Sequence, residues 1–220
     1  LAEGEDAAVM SRSIPVEKAW DDALIAYGQN GEPLRPEQGY PARLLAPGWE
    51  GSANVKWIRR IELADRPFMT REETAKYTDP LPNGTARMFS FVMDAKSIIT
   101  SPAYPAALPE RGWWEGTGLA WSGRGRVTRV DVSTDAGKTW AAAELQEPVL
   151  PKCHTRFRLP WKWDGREAIL MSRAVDETGY VQPTLAELRR VRGPGAPYHF
   201  NNVRAWRVRG DGTVHWGLER

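Results

Sequence analysis

From about Arg87 onward the chain is a succession of short alternating runs: Phe89–Met93, Gly116–Trp121, Val127–Ser133, Trp140–Leu145, His154–Trp161, Ala168–Val175 and Val203–Val208. Turn-forming clusters such as Ser122-Gly123-Arg124-Gly125, Asp135-Ala136-Gly137, Asp164-Gly165 and Asp211-Gly212 separate or follow them. About seven short strands over roughly 130 residues is the pattern of an immunoglobulin-like sandwich. Eight of the eleven tryptophans, from Trp113 to Trp216, fall in this half. Inward-facing aromatics between two sheets are the expected reading, ahead of a stacking platform for nucleic acid or sugar. One helix interrupts the strands, Thr184–Val191, with Thr184 and Glu187 at capping-box spacing and Gly193 beyond its end.

The first part has a different texture. Ser13-Ile14-Pro15 predicts a cap with proline in the first turn of a helix over Val16–Ala23. Leu24–Tyr27 reads as an apolar strand, and Asn30-Gly31 as a turn. Strands are expected over Tyr40–Leu45 and Val55–Leu63, and Thr70 with Glu73 predicts a capped helix running to about Lys76, with Tyr77 at its end. The polar stretch Asp79–Gly84 marks the expected boundary, giving domains at 1–86 and 87–220.

Between the two central strands runs a loop, Pro47 to Asn54, with Arg43 before it, Lys56 after it and glycines within it. Glycine lets a backbone approach a bulky ligand, and guanidinium and ammonium groups complement anionic oxygens. The same pattern also fits a solvated turn between strands, and spacing alone leaves both readings open.

Composition narrows the class. Thirty basic against twenty-eight acidic residues give a formal charge of +2, which argues against a non-specific nucleic-acid binder. The single cysteine, Cys153, excludes a disulfide framework and a multi-cysteine metal site, and is expected to be a small buried apolar residue. Three scattered histidines do not make a metal centre. No run of about 18 apolar residues occurs, and the N-terminus lacks the basic and apolar regions of a signal peptide.

Several ordered motifs resemble the molybdenum-cofactor domain of the sulfite oxidase family: Ser13-Ile14-Pro15, Asn30-Gly31-Glu32-Pro33-Leu34, Gly39-Tyr40-Pro41-Ala42-Arg43, Pro47-Gly48-Trp49, Asn54-Val55-Lys56-Trp57 and Arg66-Pro67-Phe68. Gly118 to Gly123 and Val130 to Trp140 are similar to that family's C-terminal dimerisation domain, an immunoglobulin-like fold. Leu150 to Phe157 and Asp176 to Pro183 resemble the sulfane dehydrogenases of bacterial sulfur oxidation within it. The implied fold is the α+β C-terminal part of a sulfite-oxidase-type molybdopterin domain followed by an all-β immunoglobulin-like sandwich.

The resemblance implies Mo-molybdopterin as cofactor. Asp6, Gln38, Arg43, Asn54, Val55 and Lys56 are its implied contacts, and Tyr77 is the implied active-site tyrosine. Gln38 stands where many relatives carry histidine and brings no positive charge. The family's metal-ligating cysteine lies in an N-terminal portion not found in this sequence, so no residue is assigned to the metal. The implied protein oxidises sulfane sulfur, or sulfite, and passes electrons to a c-type cytochrome subunit. It is periplasmic, forms a homodimer through its second domain, and includes an N-terminal remainder of the cofactor domain. Two other readings stand beside it: a catalytically silent dimerisation or assembly fragment, and a tryptophan-rich carbohydrate-binding sandwich. His199, Asn201 and Asn202 form one further polar cluster, read either as substrate-facing or as the polar start of a strand.

Overall fold

A computed structural model describes residues 2–4, 10–194 and 199–217. The chain divides into two compact units, Leu1–Val92 with Arg192–Tyr198, and Met93–Val191 with His199–Arg220.

In the first unit the helix Val16–Asp21 starts at Pro15, whose own φ of −53° suits a helix start, and no side chain caps it. Ser13, expected as the cap, exchanges hydrogen bonds through Oγ with the backbone O and N of Phe68, both at 3.0 Å. A partner 55 residues away outweighs the local cap. The strand Leu24–Ala26 pairs antiparallel with Arg43–Leu45. Asn30 (φ 54°) and Gly31 (φ 80°) join Gly28–Gln29 to Glu32–Pro33 through two positive-φ residues, as an Asn-Gly hairpin requires.

Two expected strands are shorter in the structure. Trp57, held at φ 50° with its indole N–H donating to Pro36 O at 2.9 Å, delays the second one to Ile58–Ile61. The turn at Gly39, φ 107°, delays the first to Arg43–Leu45. Phe89–Met93 is not a strand, because Phe89 takes φ 57° and only Val92 bridges, to Trp49. There the ring of Phe91 stacks on Trp49 at 4.3 Å. The helix after Thr70 is a π-helix, Glu72–Lys76, closed by Tyr77 N–H donating to Glu72 O at 2.9 Å. Its apolar core is small: Leu44 and Val55, with Ile14, Ala23 and Ile58 against them.

The second unit is two antiparallel sheets. One has the order Lys96–Ser101, Gly112–Trp121, Thr155–Trp163, Glu144–Gln146; the other Ala141–Ala142, Val127–Ser133, Ala168–Asp176, Ala205–Val208, Val214–Trp216. Thr155, Phe157, Trp161 and Trp163 alternate inward along one strand, and Val130, Val132, Leu170, Ala174 and Val208 meet them from the other sheet in one core. Gly118 is required where it stands, since a Cβ would lie 2.2 Å from Phe157 Cζ and 2.3 Å from Ile98 O. A polar clamp ties the sheets: Gln182 Oε1 accepts from Ser97 N and Oγ, both at 2.8 Å, and from Ala174 N at 3.1 Å, while Ser97 and Ser172 hydroxyls meet at 2.9 Å.

The helix Leu185–Arg192 has the expected capping box: Thr184 N donates to Glu187 Oε2 at 2.8 Å and Glu187 N to Thr184 Oγ1 at 3.3 Å. The tryptophans depart from expectation. Trp161 and Trp163 are buried and Trp114 and Trp206 pack at the margin, but Trp113 (72%) and Trp216 (56%) face solvent. Cys153 is exposed rather than buried, because it lies in the turn before Thr155, where no sheet face covers it. His199, Asn201 and Asn202 are interior rather than the open start of a strand. Asn201 Nδ2 donates to Ala95 O at 3.2 Å, and His199 Nε2 lies 4.0 Å from Asp94 Oδ2.

Candidate cofactor site

The site builds on the turn Pro36–Gln38 and the residue after it, Gly39. Gly39 takes φ 107°, and a Cβ there would lie 2.9 Å from Lys56 Cβ and 3.2 Å from Arg43 Cβ. The stems of Arg43 and Lys56 therefore flank one glycine, a position that a side chain would fill. Register explains their adjacency: Leu44 N donates to Val55 O at 2.8 Å and Ile58 N to Ala42 O at 2.9 Å.

Both cations then reach back to the same turn. Arg43 Nη1 donates to Gln38 O at 3.1 Å, and Lys56 Nζ donates to Glu37 O at 2.7 Å, with the ammonium 5.3 Å from the Trp57 ring centroid. The second guanidinium nitrogen of Arg43 donates to Asn54 O at 3.2 Å, whereas its Nε is buried with no hydrogen-bond partner among the described residues. Burial pushes the Arg43 guanidinium below its ordinary pKa. Among the described residues it meets carbonyl oxygens and no carboxylate. A desolvated cation with a spare donor, beside a second cation, is a setting that an anion stabilises.

The other expected contacts have structural duties. The Asn54 side chain ties down the loop before it, accepting from Ala46 N at 2.7 Å and donating to Glu50 O at 2.8 Å and Trp49 O at 3.3 Å. It is the backbone carbonyl of Asn54 that meets Arg43. Val55 is buried in the small core, and Gln38 Oε1 accepts from Arg35 N at 2.9 Å while its carbonyl holds Arg43. Asp6 lies outside the described residues.

Tyr77 ends the π-helix, half-buried, with the guanidinium carbon of Arg12 4.9 Å from its ring centroid. Arg12 is 1% exposed and pairs with Glu73 at 3.1 Å. Glu73 therefore turns inward and also accepts from Ser13 N at 2.9 Å; its Oε2 keeps a long contact of 3.5 Å from the Thr70 hydroxyl, but no side chain caps the helix, which starts after Arg71. Burial pushes the Glu73 carboxyl above the usual carboxylate range, against the Ser13 N–H and the Arg12 charge, which pull it down. Neither Arg12 nor its partner Ser52 stood out in the sequence, where Arg12 looks like any strand arginine.

Among the described residues no group of three or more His, Cys, Asp and Glu is placed to hold a metal ion. No helix there is long and apolar enough to cross a membrane.

Residues 1–72 match the family described as oxidoreductase molybdopterin binding domain, and residues 87–205 match the Mo-co oxidoreductase dimerisation domain. Mitochondrial sulfite oxidase of Mus musculus is 34% identical over 200 residues, 82% of this chain and 36% of that protein. Nitrate reductase [NADH] 2 of Phaseolus vulgaris is 34% identical over 172 residues, 69% of this chain and 19% of that protein. The crystal structure of the sulfane dehydrogenase SoxCD from Paracoccus pantotrophus superposes with a TM-score of 0.96 at 52% identity, covering 100% of this chain and 57% of that one. The chain thus spans little more than a third of the mouse enzyme. With both domain matches in sequence order and a neighbour of this likeness over its whole length, the chain belongs to the sulfite oxidase family of molybdopterin oxidoreductases.

Proposed function

We propose that this chain supplies the phosphate-gripping side of a molybdopterin site, together with an immunoglobulin-like dimerising sandwich, to an oxidoreductase acting on sulfane sulfur. The observation that carries the reading is the Arg43 guanidinium: partly buried, with no carboxylate partner among the described residues, one N–H spare, and flanking Gly39 with Lys56. The residues present fit an anionic pterin tail there. When bound, Mo-molybdopterin would supply two-electron redox chemistry, and the family resemblance makes a periplasmic c-type cytochrome the acceptor.

This chain's own residues bind and orient. Arg43 and Lys56 offset the negative charge of the cofactor. Asn54 keeps the intervening loop in shape, so that its carbonyl fixes the guanidinium plane. Asp6 is assigned to the pterin edge and Tyr77 to a phenolic hydrogen bond near the reacting sulfur. Cys153, exposed in the second unit, takes no part in the metal site.

Sulfane sulfur is favoured over sulfite because the sulfane dehydrogenase is 52% identical over the full chain, against 34% for the sulfite oxidase. The test is an assay of the full-length protein with a protein-bound sulfane donor and with sulfite. Turnover of the first is expected, and turnover of sulfite alone overturns the substrate assignment. Absence of pterin and molybdenum from that protein would instead favour a silent assembly module.

A further inference from the structure

We infer that Arg12 is a positioning residue that fixes the ring of Tyr77 relative to the loop carrying Asn54. The inference rests on the cofactor site proposed above and adds the element that joins its two parts. Arg12 is an unusual thing to bury: a guanidinium 1% exposed. Such a group persists only where its donors and charge are answered. Each of its answered contacts belongs to a different piece of the site.

Nε donates to Glu73 Oε1 at 3.1 Å, within the π-helix Glu72–Lys76 that ends at Tyr77. Nη1 donates to Ser52 Oγ at 2.9 Å, within the turn Gly51–Ala53 that leads into Asn54. Asn54 O in turn accepts from Arg43 Nη2 at 3.2 Å. The guanidinium carbon lies over the Tyr77 ring, 4.9 Å from its centroid, and 5.8 Å from that of Phe91. One rigid planar fork therefore touches the tyrosine, the helix that presents it and the loop that orients the cofactor arginine. Lysine, a point charge on a flexible stem, could not meet all three directions at once.

The π-helix adds to the argument. A wide i to i+5 turn carries an extra residue and is costly unless tertiary contacts hold it. Here Glu73, its second residue, is pinned from the Arg12 side twice, by Arg12 Nε and by Ser13 N at 2.9 Å. Releasing Arg12 frees both the turn and the ring. The expected consequence is a tyrosine that still reaches its place but holds it for less of the time, which lowers kcat more than it raises KM.

The test uses the full-length holoenzyme with Arg12→Lys, Arg12→Met, Glu73→Gln, the charge-neutral pair Arg12→Met/Glu73→Gln, Tyr77→Phe, and Tyr77→Phe combined with that pair. The pair is included because Arg12→Met alone strands a buried carboxylate and can fail to fold. For the pair, kcat is expected to fall by roughly 10- to 100-fold with KM within about twofold, and the loss should shrink or vanish in the Tyr77→Phe background. A second readout needs no turnover: the tyrosine ultraviolet titration of the protein minus that of Tyr77→Phe. A cation over the ring favours the phenolate, so the Tyr77 transition should lie at higher pH in the pair than in Glu73→Gln alone, and Arg12→Lys should stay near wild type. A Tyr77 transition no higher in the pair than in Glu73→Gln, or a kcat loss that adds in full to that of Tyr77→Phe, overturns the inference. If the wild-type protein holds no pterin, the proposed function falls, while the tyrosine titration still decides the role of Arg12.

Discussion

The two units solve the problem of an interior in opposite ways. The second buries a broad apolar core from both sheets, with Phe157, Val130, Ala174 and Val208 at 1% exposure or less. Among the described residues the first gathers a much smaller apolar cluster, Leu44 and Val55, and its best-buried large side chains include Arg12 and Glu73. Beside that polar knot lies an apolar groove of about 630 Å³, lined by Ile14, Leu24, Ile61, Leu63, Phe68 and Phe91 among others. Hydrophobic burial is non-directional and tolerant, whereas a buried ion pair is directional and unforgiving. The second unit is thus built for stability, and the first holds a few polar groups in fixed places while leaving apolar surface open.

This contrast can be broken most directly in the cores. Phe157→Ala, at a site 1% exposed, should cost about 3–5 kcal/mol in urea unfolding followed by tryptophan fluorescence. Leu63→Ala, at a site 83% exposed on the groove, should cost under about 0.5 kcal/mol. Equal losses would erase the distinction. Next, Glu73→Ala leaves the Arg12 charge buried and unpaired, and should cost about 3 kcal/mol, read as a lower unfolding midpoint of the first unit. Asn54→Ala strands the Ala46 N–H and two carbonyls, with an expected cost of about 1–3 kcal/mol by the same measurement.

The smallest effect belongs to Asp135 in the second unit. Its hydrogen bonds, the Thr139 hydroxyl first, then Thr139 N–H and the Ser133 hydroxyl, hold its pKa down from 3.8 to about 2. A depressed carboxylate stabilises the fold above its unfolded value, and that stabilisation is lost as pH falls through the folded value. Asp135→Asn should therefore melt below the wild type at neutral pH. The gap should hold down to about pH 4 and close by about pH 2. A gap independent of pH would assign the effect to packing instead.

Local chemistry was legible in the sequence where it had no rival. Asn30-Gly31 makes its hairpin, and Thr184 with Glu187 makes its capping box, because each motif is satisfied within a few residues. Thr70 with Glu73 has the same spacing and a different outcome, since Arg12, 61 residues earlier, claims the carboxylate. The alternation does not mark Lys96–Ser101 or Val214–Trp216 as strands: the first is paired by Gly112–Trp121 across a ten-residue connection, the second by Ala205–Val208 across a five-residue turn. Residue type does not set exposure at Cys153, Trp113 and Trp216, whose positions leave them open to solvent. At the site, the spacing of Arg43 and Lys56 was readable. Their shared anchorage on the carbonyls of Glu37 and Gln38 was not, because it depends on the left-handed turn at Gly39.

The grip proposed for Arg43 and Lys56 on an anionic cofactor is tested most directly by the pterin content of the full-length protein carrying Arg43→Met, measured by fluorescence of the oxidised pterin. Loss of most of the pterin with an unfolding midpoint near that of the wild type is the predicted result. Pterin retained at the wild-type level would contradict it.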